Sequence, residues 1–327
     1  LLFQTYGWEK ALEMLAKAGF DCVDMTLTAM AKDPDDVFLQ PGADELTSFL
    51  KSARDGDDHA IFLSSGDMWQ GTSESNLTRG RIITDWMNSL GFVSMTIGNH
   101  EFDLSNYENA MKIYRMEKSY YSFDLNGFRF IILDENYFSD FPGLYFHYSE
   151  RNYFDHGPGR DYMTPEQIAW FRETVFSSPY PCVVFSHASM EFPKGMKDYI
   201  ELQDIIQKSQ NMPGKVMMCL NGHYHYDSFN IINNTAYFAV NSASFQWLAN
   251  PHKLYPEEWY KEFESVGNQV TYTKPLSAVV TLDTDGTIDI EGADGEFVCG
   301  VSYEDTDNPP RRCPCTPTIL DRHARLD

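Results

Sequence analysis

The chain has 327 residues, 43% of them hydrophobic, which is enough for a sizeable core in one large domain or two small ones. Its apolar runs, such as IFLSSG at 61–66, FIILD at 130–134 and CVVFSH at 182–187, fall well short of the roughly 20 residues a bilayer span needs. Lys and Arg number 25 against 48 Asp and Glu, a formal charge of -23, which argues against nonspecific nucleic-acid binding and disfavours anionic substrates unless bound cations reverse the field locally.

The opening LLFQTYGWEK has neither a basic start nor a long apolar stretch, so the expectation is a soluble protein, either cytoplasmic or exported by a signal absent from this chain. Residues 8–19 place Ala11, Leu12, Leu15 and Ala16 on one helical face and stop at Gly19, leading into the strand-like FDCVDMT. One such unit is shared by many folds, isomerase-like barrels among them.

From residue 43 the pattern is regular. ADELTSFLKSAR reads as a helix, IFLSSGD as a buried strand running into a loop, RIITDWMNSLG as a helix closed by Gly91, and VSMTIGNHEFD as a strand running into a second loop. YYSFDLNGFRFIILD is a hairpin turning at Asn126-Gly127. A helix runs from an N-cap at Thr164, through Pro165 at its first position, to about Phe176, with Gln167 completing a capping box. PCVVFSH, KVMMCLNGH and TAYFAVNSAS follow as strands, and LSAVVTLDTDGTIDIEG as a second hairpin. This alternation predicts a layered α/β sandwich. Residues 252–269 read as a surface excursion. The expected organisation is an atypical amino-terminal segment at 1–42, a main domain at 43–300 and an irregular carboxy-terminal tail at 301–327.

Cys182 and Cys219 lie within apolar strands, where a small buried hydrophobe is the ordinary reading. No zinc-ribbon spacing appears, and Cys313-Pro-Cys315 reads as exposed tail more readily than as a redox or metal motif.

Polar groups cluster instead just past strand ends, where ligands cost the core least. These places are Ser65-Gly66-Asp67, Gly98-Asn99-His100-Glu101, Ser186-His187 and Gly222-His223-Tyr224-His225. Carboxylate, amide oxygen and imidazole together suit zinc, manganese or iron. Each residue alone has a plainer reading: a turn carboxylate, turn chemistry at Asn99, a packed structural histidine at His187. Finding all of them in this order makes the joint reading stronger than any one.

Taken in that order, GD, GNHE, SH and GHxH resemble the calcineurin-like metallophosphoesterase superfamily over about residues 43–300. The stretch from GDMWQG to GNHEFD looks like its 5′-nucleotidase branch, and residues 120–225 look like its small phosphodiesterase and purple-acid-phosphatase-like members. The resemblance implies a four-layer α/β/β/α sandwich with mixed sheets and a dinuclear metal site holding Mn, Zn or Fe, one or two ions per chain. It makes Asp67 the bridging carboxylate, with Asn99, His187 and His223 on one metal and His225 on the other. His100 is the implied catalytic histidine and Asp103 its orienting partner. The implied reaction is hydrolysis of a small phosphorylated substrate, phosphomonoester or phosphodiester and nucleotides among them, by in-line attack of a metal-bound hydroxide.

The chain departs from the superfamily at the first motif, an Asp-x-His, which is absent. Asp24, in Asp24-Met25-Thr26, is the nearest candidate for a replacement ligand. The alternative this leaves is a weakened or silent member that binds phosphate or a partner without turning it over. His147 and His156, in an aromatic, loop-like stretch, read either as a substrate-facing wall or as a packed or exposed loop. His59, His252 and His323 read as surface.

Overall fold

The computed structural model describes residues 43–327 except 58, 69–80, 104, 249–252, 263–265, 303 and 307–315. The expectations for the helix at 8–19, for Asp24 and for Cys313-Pro-Cys315 fall outside the described residues.

The described helices are α1 (Ala43–Gly56), α2 (Arg81–Leu90), α3 (Tyr107–Tyr114), α4 (Pro165–Phe176), α5 (Tyr199–Ser209) and α6 (Glu257–Glu262). Strands β1 (Phe62–Ser64) and β2 (Phe92–Met95) pair in parallel. The central sheet contains β3 (Tyr121–Leu125) and β4 (Phe128–Ile132), whose hairpin turns at Asn126 and Gly127, both with positive φ, as the Asn-Gly pair predicts. Strands β5 (Tyr137–Phe141), β6 (Leu144–His147) and β7 (Arg160–Tyr162) form a small sheet of their own. The central sheet resumes with β8 (Cys182–Phe185), β9 (Val216–Asn221), β10 (Ser228–Ile232) and β11 (Thr235–Ala239), in the order β10-β11-β9-β8-β4-β3. Its inner strands β4, β8, β9 and β11 run parallel, and β3 and β10 close the edges antiparallel.

Strand β4 shows how the core divides. Phe130 and Ile132 face one way and Ile131 and Leu133 the other, because successive strand side chains alternate. Ile131 and Leu133 join Val184 of β8 and Cys219 of β9 against Ile168, Phe171 and Val175 of α4 and Leu202, Ile205 and Ile206 of α5. Each such buried aliphatic side chain contributes roughly 1.5–3 kcal/mol.

The opposite face, with Phe130, Phe185, Leu220 and Phe238, packs on a second layer. That layer includes β12 (Phe245–Trp247), β13 (Gln269–Thr271), β14 (Val279–Leu282) and β15 (Thr287–Glu291), and contributes Val270, Ile288 and Ile290 to the cluster. Leu63 of β1 and Ile61 just before it pack against the same cluster. The architecture is mixed α/β with mixed sheets.

Three expectations need correcting. The tail at 301–327 is not irregular throughout. β16 (Ala293–Asp294) pairs with β17 (Thr318–Ile319), and β18 (Arg322–Arg325) pairs with β15. Ile319 and Leu326 are buried, and Arg322 reaches Asp227 at 2.5 Å, so a segment that reads as polar is anchored by two apolar residues and a nearly buried ion pair.

The capping box at α4 is only half formed. Thr164 Oγ1 accepts from the Gln167 N–H at 3.2 Å, but the Gln167 side chain instead brackets Asp134, accepting from its N–H at 2.9 Å and donating to its carbonyl at 2.6 Å. A buried strand end needs its backbone satisfied, and that demand outranks the helix end.

The stretch that reads as loop after residue 136 instead carries β5, β6 and β7, while its histidines take the packed alternative. His147 Nε2 meets Asp134 Oδ2 at 2.9 Å, and His156 stacks on Phe138 with ring centroids 3.5 Å apart.

A candidate metal centre at the strand ends

Strands that run parallel end on one edge, so the loops following them share a cleft. The loops after β1, β2, β8 and β9 carry Asp67, Asn99-His100, His187 and His223, respectively. Glycine lets them crowd together. At Gly66, whose φ is +87°, a Cβ would come 2.7 Å from Gly98 N and 2.9 Å from His187 Nδ1. At Gly98 it would come 2.1 Å from Asp67 Oδ1, and at Gly222 2.9 Å from Ser65 Oγ. Asp67, His223 and His225 themselves have positive φ, a conformation non-glycine residues rarely hold without compensation.

Asp67, His187 and His223 offer donor atoms that all lie within 4.8 Å of one another. His187 Nε2 is 2.8 Å from Asp67 Oδ2 and 3.1 Å from His223 Nδ1. Donors about 2.1 Å from a tetrahedral cation stand roughly 3.4 Å apart, so this spacing suits a divalent ion with little rearrangement. The surroundings orient the donors. His187 Nδ1 donates to the Ser65 carbonyl at 2.7 Å, which aims Nε2 at the cluster. The Gly222 N–H donates to the His187 carbonyl at 3.1 Å and ties the two histidine loops together.

The charges follow from that crowding. Burial would raise the Asp67 carboxyl, but the charge and hydrogen bond of His187, with the charges of His100 and His223, hold it well below the usual carboxylate range. Burial would lower His187, yet Asp67 and then Glu135 push it up to about 9. Burial and the nearby His187 charge press His223 down to about 3, leaving it neutral.

Asn99 is buried, and its Oδ1 makes no hydrogen bond among the described residues. A buried amide oxygen without a donor is costly, and a cation is one partner that would repay it. His225 stands apart from the three-residue cluster. Its Nδ1 meets the Phe245 carbonyl at 2.8 Å, the bond that fixes a tautomer with Nε2 available, and burial lowers its pKa to about 4.

His100 and Asp103 meet as the sequence suggests, with His100 Nδ1 2.9 Å from Asp103 Oδ2. Burial would lower His100, but the Asp103 hydrogen bond and the Asp67 charge raise it. The His100 backbone N–H donates to Asp67 Oδ1 at 2.9 Å, so the carboxylate of the cluster also positions the histidine.

With this geometry established, sequence comparison supplies the family. The calcineurin-like phosphoesterase profile matches residues 39–227. The chain belongs to the calcineurin-like phosphoesterase family. Among curated relatives, the snake venom 5′-nucleotidase of Gloydius brevicauda is 41% identical over 54 residues, covering 16% of this chain and 9% of that protein. The 5′-nucleotidase of Bos taurus is 36% identical over 62 residues, covering 19% of this chain and 11% of that protein. The chain thus matches about a tenth of the length of these relatives. A dimetal phosphatase from Danio rerio is a structural neighbour at 12% identity and a TM-score of 0.46, covering 78% of this chain and 89% of that one.

Two supports of this family member's site show their role only in the folded chain. Glu101 is fully buried and accepts from the N–H groups of Asp67 at 2.9 Å, Met68 at 2.7 Å and Gly98 at 2.7 Å, cementing the first two loops. Burial and the Asp67 charge push it up to about 7. Glu135, after β4, accepts from the Ala188 N–H behind His187, and burial raises it to about 8. Glu101 stands within GNHE in the sequence, but its threefold acceptance appears only once the loops meet.

Proposed function

We propose that this chain is a metal-dependent hydrolase of phosphate esters, acting on a small phosphorylated molecule. The observation that carries the reading is the convergence of Asp67, His187 and His223 within 4.8 Å, with the His100–Asp103 pair hydrogen-bonded to the same Asp67. In this reading Asp67, Asn99, His187 and His223 hold one divalent cation. Asp67 and His225 contribute to a second, and Asp24 is the candidate for its missing ligand. A bound cation there supplies Lewis acidity toward the phosphoryl oxygens and lowers the pKa of water.

The chain's own residues do the rest. Asp67 fixes the His100 backbone through Oδ1 and His187 through Oδ2. Asp103 occupies His100 Nδ1, so Nε2 is the nitrogen through which His100 delivers a proton to the departing oxygen. The raised pKa of His100 keeps a protonated fraction present near neutral pH. Cationic charge in the cleft also offsets an acidic surface that would otherwise repel a phosphate. Nucleotides enter as a substrate class through the matched segment of the 5′-nucleotidases alone.

The test is turnover of p-nitrophenyl phosphate and of its bis ester with added manganese. Asp67→Ala and His100→Ala should each lose about 100-fold or more, the range typical of a positioned acid–base group. Absence of metal-stimulated turnover, or turnover that survives both substitutions, would overturn the reading.

A further inference from the structure

Tyr153, in the short helical turn Asn152–Asp155, reaches the His100–Asp103 pair. It is 1% exposed, and its hydroxyl donates to Asp103 Oδ1 at 2.5 Å while its oxygen lies 3.2 Å from His100 Nδ1. Its ring stands edge-on to the His100 ring with centroids 6.1 Å apart. We propose that Tyr153 is a positioning residue: its hydroxyl holds the Asp103 carboxylate so that Asp103 keeps the His100 proton on Nδ1 and Nε2 directed at the leaving group. The functional part of this inference rests on the hydrolase reading above.

Several independent features converge on that role. A carboxylate can rotate about its own bond, so a single hydrogen bond to His100 leaves its plane loosely set; a donor on the second oxygen sets it. The segment bearing Tyr153 is stitched to the segment bearing Asp103 on both sides. The Arg151 N–H donates to the Phe102 carbonyl at 3.1 Å and the Glu150 N–H to the Ser105 carbonyl at 3.2 Å. Glu150 and Arg151 both adopt positive φ to make that turn, which leads directly into the short helical turn Asn152–Asp155. Tyr153 also packs with Ile97, Phe102, Phe138 and Tyr148 in one buried cluster, so its ring has little freedom to move. Burial, together with the hydrogen bond and charge of Asp103, raises the phenol well above its usual value and keeps it a donor. Arg151 Nε lies 3.6 Å from the same Asp103 oxygen, but its side chain is 55% exposed and solvent screens it.

A buried phenol must find some acceptor, so satisfaction alone would also explain the short contact. The two accounts separate in Tyr153→Phe, which keeps the ring and its packing and removes the hydroxyl. One readout needs no turnover: ring-nitrogen NMR of histidine-labelled protein, at a pH where His100 is neutral. His100 should show its proton on Nδ1 in the wild type and a tautomer mixture in Tyr153→Phe. The His147 ring, held by Asp134, should stay unchanged and so report that the fold is intact. In the metal-loaded enzyme, Tyr153→Phe should lower kcat about 10-fold with KM little changed, as loss of an outer partner does. That loss should vanish in an Asp103→Asn background, because the hydroxyl acts through Asp103. An unchanged His100 tautomer in Tyr153→Phe overturns the proposal, and so does a kcat loss that persists in full beside Asp103→Asn. If the wild type turns over no ester, the hydrolase reading fails and the tautomer measurement alone decides the role of Tyr153.

Discussion

Glu101→Ala removes the carboxylate that three backbone N–H groups share, those of Asp67, Met68 and Gly98. A buried donor left without an acceptor costs about 1–3 kcal/mol, so three would cost about 3–9 kcal/mol with no relief. Relief is available, because Asp67 and Met68 are only partly buried and the space left by the carboxylate can admit water beside their N–H groups. Removing Glu101 also ends its repulsion with Asp67, one of the causes, after burial, of its pKa near 7. Both offsets point to the low end, a net loss of about 3 kcal/mol. For a domain with ~5–15 kcal/mol of stability this is a large share, and it would lower the urea midpoint by about 1 M. The metal-free protein should be unfolded in urea with two probes to confirm a single transition. Divalent-cation affinity should fall in parallel, because the loops that place Asp67 and Asn99 lose their common anchor. A change below about 0.5 kcal/mol, or full stability loss with unaltered cation affinity, would refute the assigned role.

Because His187 is pushed up to about 9, it is protonated at pH 7 in the metal-free protein, whereas His223 and His225 are neutral. A cation must displace that proton, so affinity should rise about tenfold per pH unit from 6 to 8 and level off above about 9, with close to one proton released at pH 7 by calorimetry in buffers of different ionisation heat. A pH-independent affinity would contradict the Asp67–His187 geometry. The same raised pKa stabilises the metal-free fold in full below the unfolded value of about 6.5, by about 3 kcal/mol, and that contribution is lost as pH rises through about 9. Gly98→Ala would set a methyl 2.1 Å from Asp67 Oδ1, so cation binding should fall by orders of magnitude while circular dichroism stays near wild type. Arg322→Ala would leave the nearly buried Asp227 unpaired, costing about 3–5 kcal/mol, and should expose the residues of β18 to limited proteolysis before the rest of the chain.

What the sequence makes legible is whatever local chemistry decides. Asn126-Gly127 needs positive φ and marks its hairpin, Gly91 stops α2, and the glycines ahead of Asp67, Asn99 and His223 mark loops that must pass very close to one another. The four polar clusters are visible for the same reason, since each follows a short apolar strand. The less legible features depend on partners far along the chain. Gln167 sits where a capping box would use it and is taken by Asp134, 33 positions away. Arg322 and Leu326 belong to a stretch whose composition reads as tail, and only their meeting with Asp227 and the core reveals a strand. Tyr153 lies in an aromatic run with nothing in its spacing to single it out, and its place against Asp103 is set by backbone bonds from Glu150 and Arg151. His225 is visible beside His223, but what holds it is not: its Nδ1 meets the carbonyl of Phe245, 20 positions away, outside the cluster of Asp67, His187 and His223.

In the proposed function, activity depends on a divalent cation held by Asp67, His187 and His223. The most direct test of this assignment is elemental analysis of protein stripped with chelator, reloaded with manganese or zinc and freed of excess metal, with Asp67→Ala and His187→Ala treated alongside. The wild type should retain at least one ion per chain and each variant far less. A wild type that retains none, or variants that retain as much as the wild type, would contradict it.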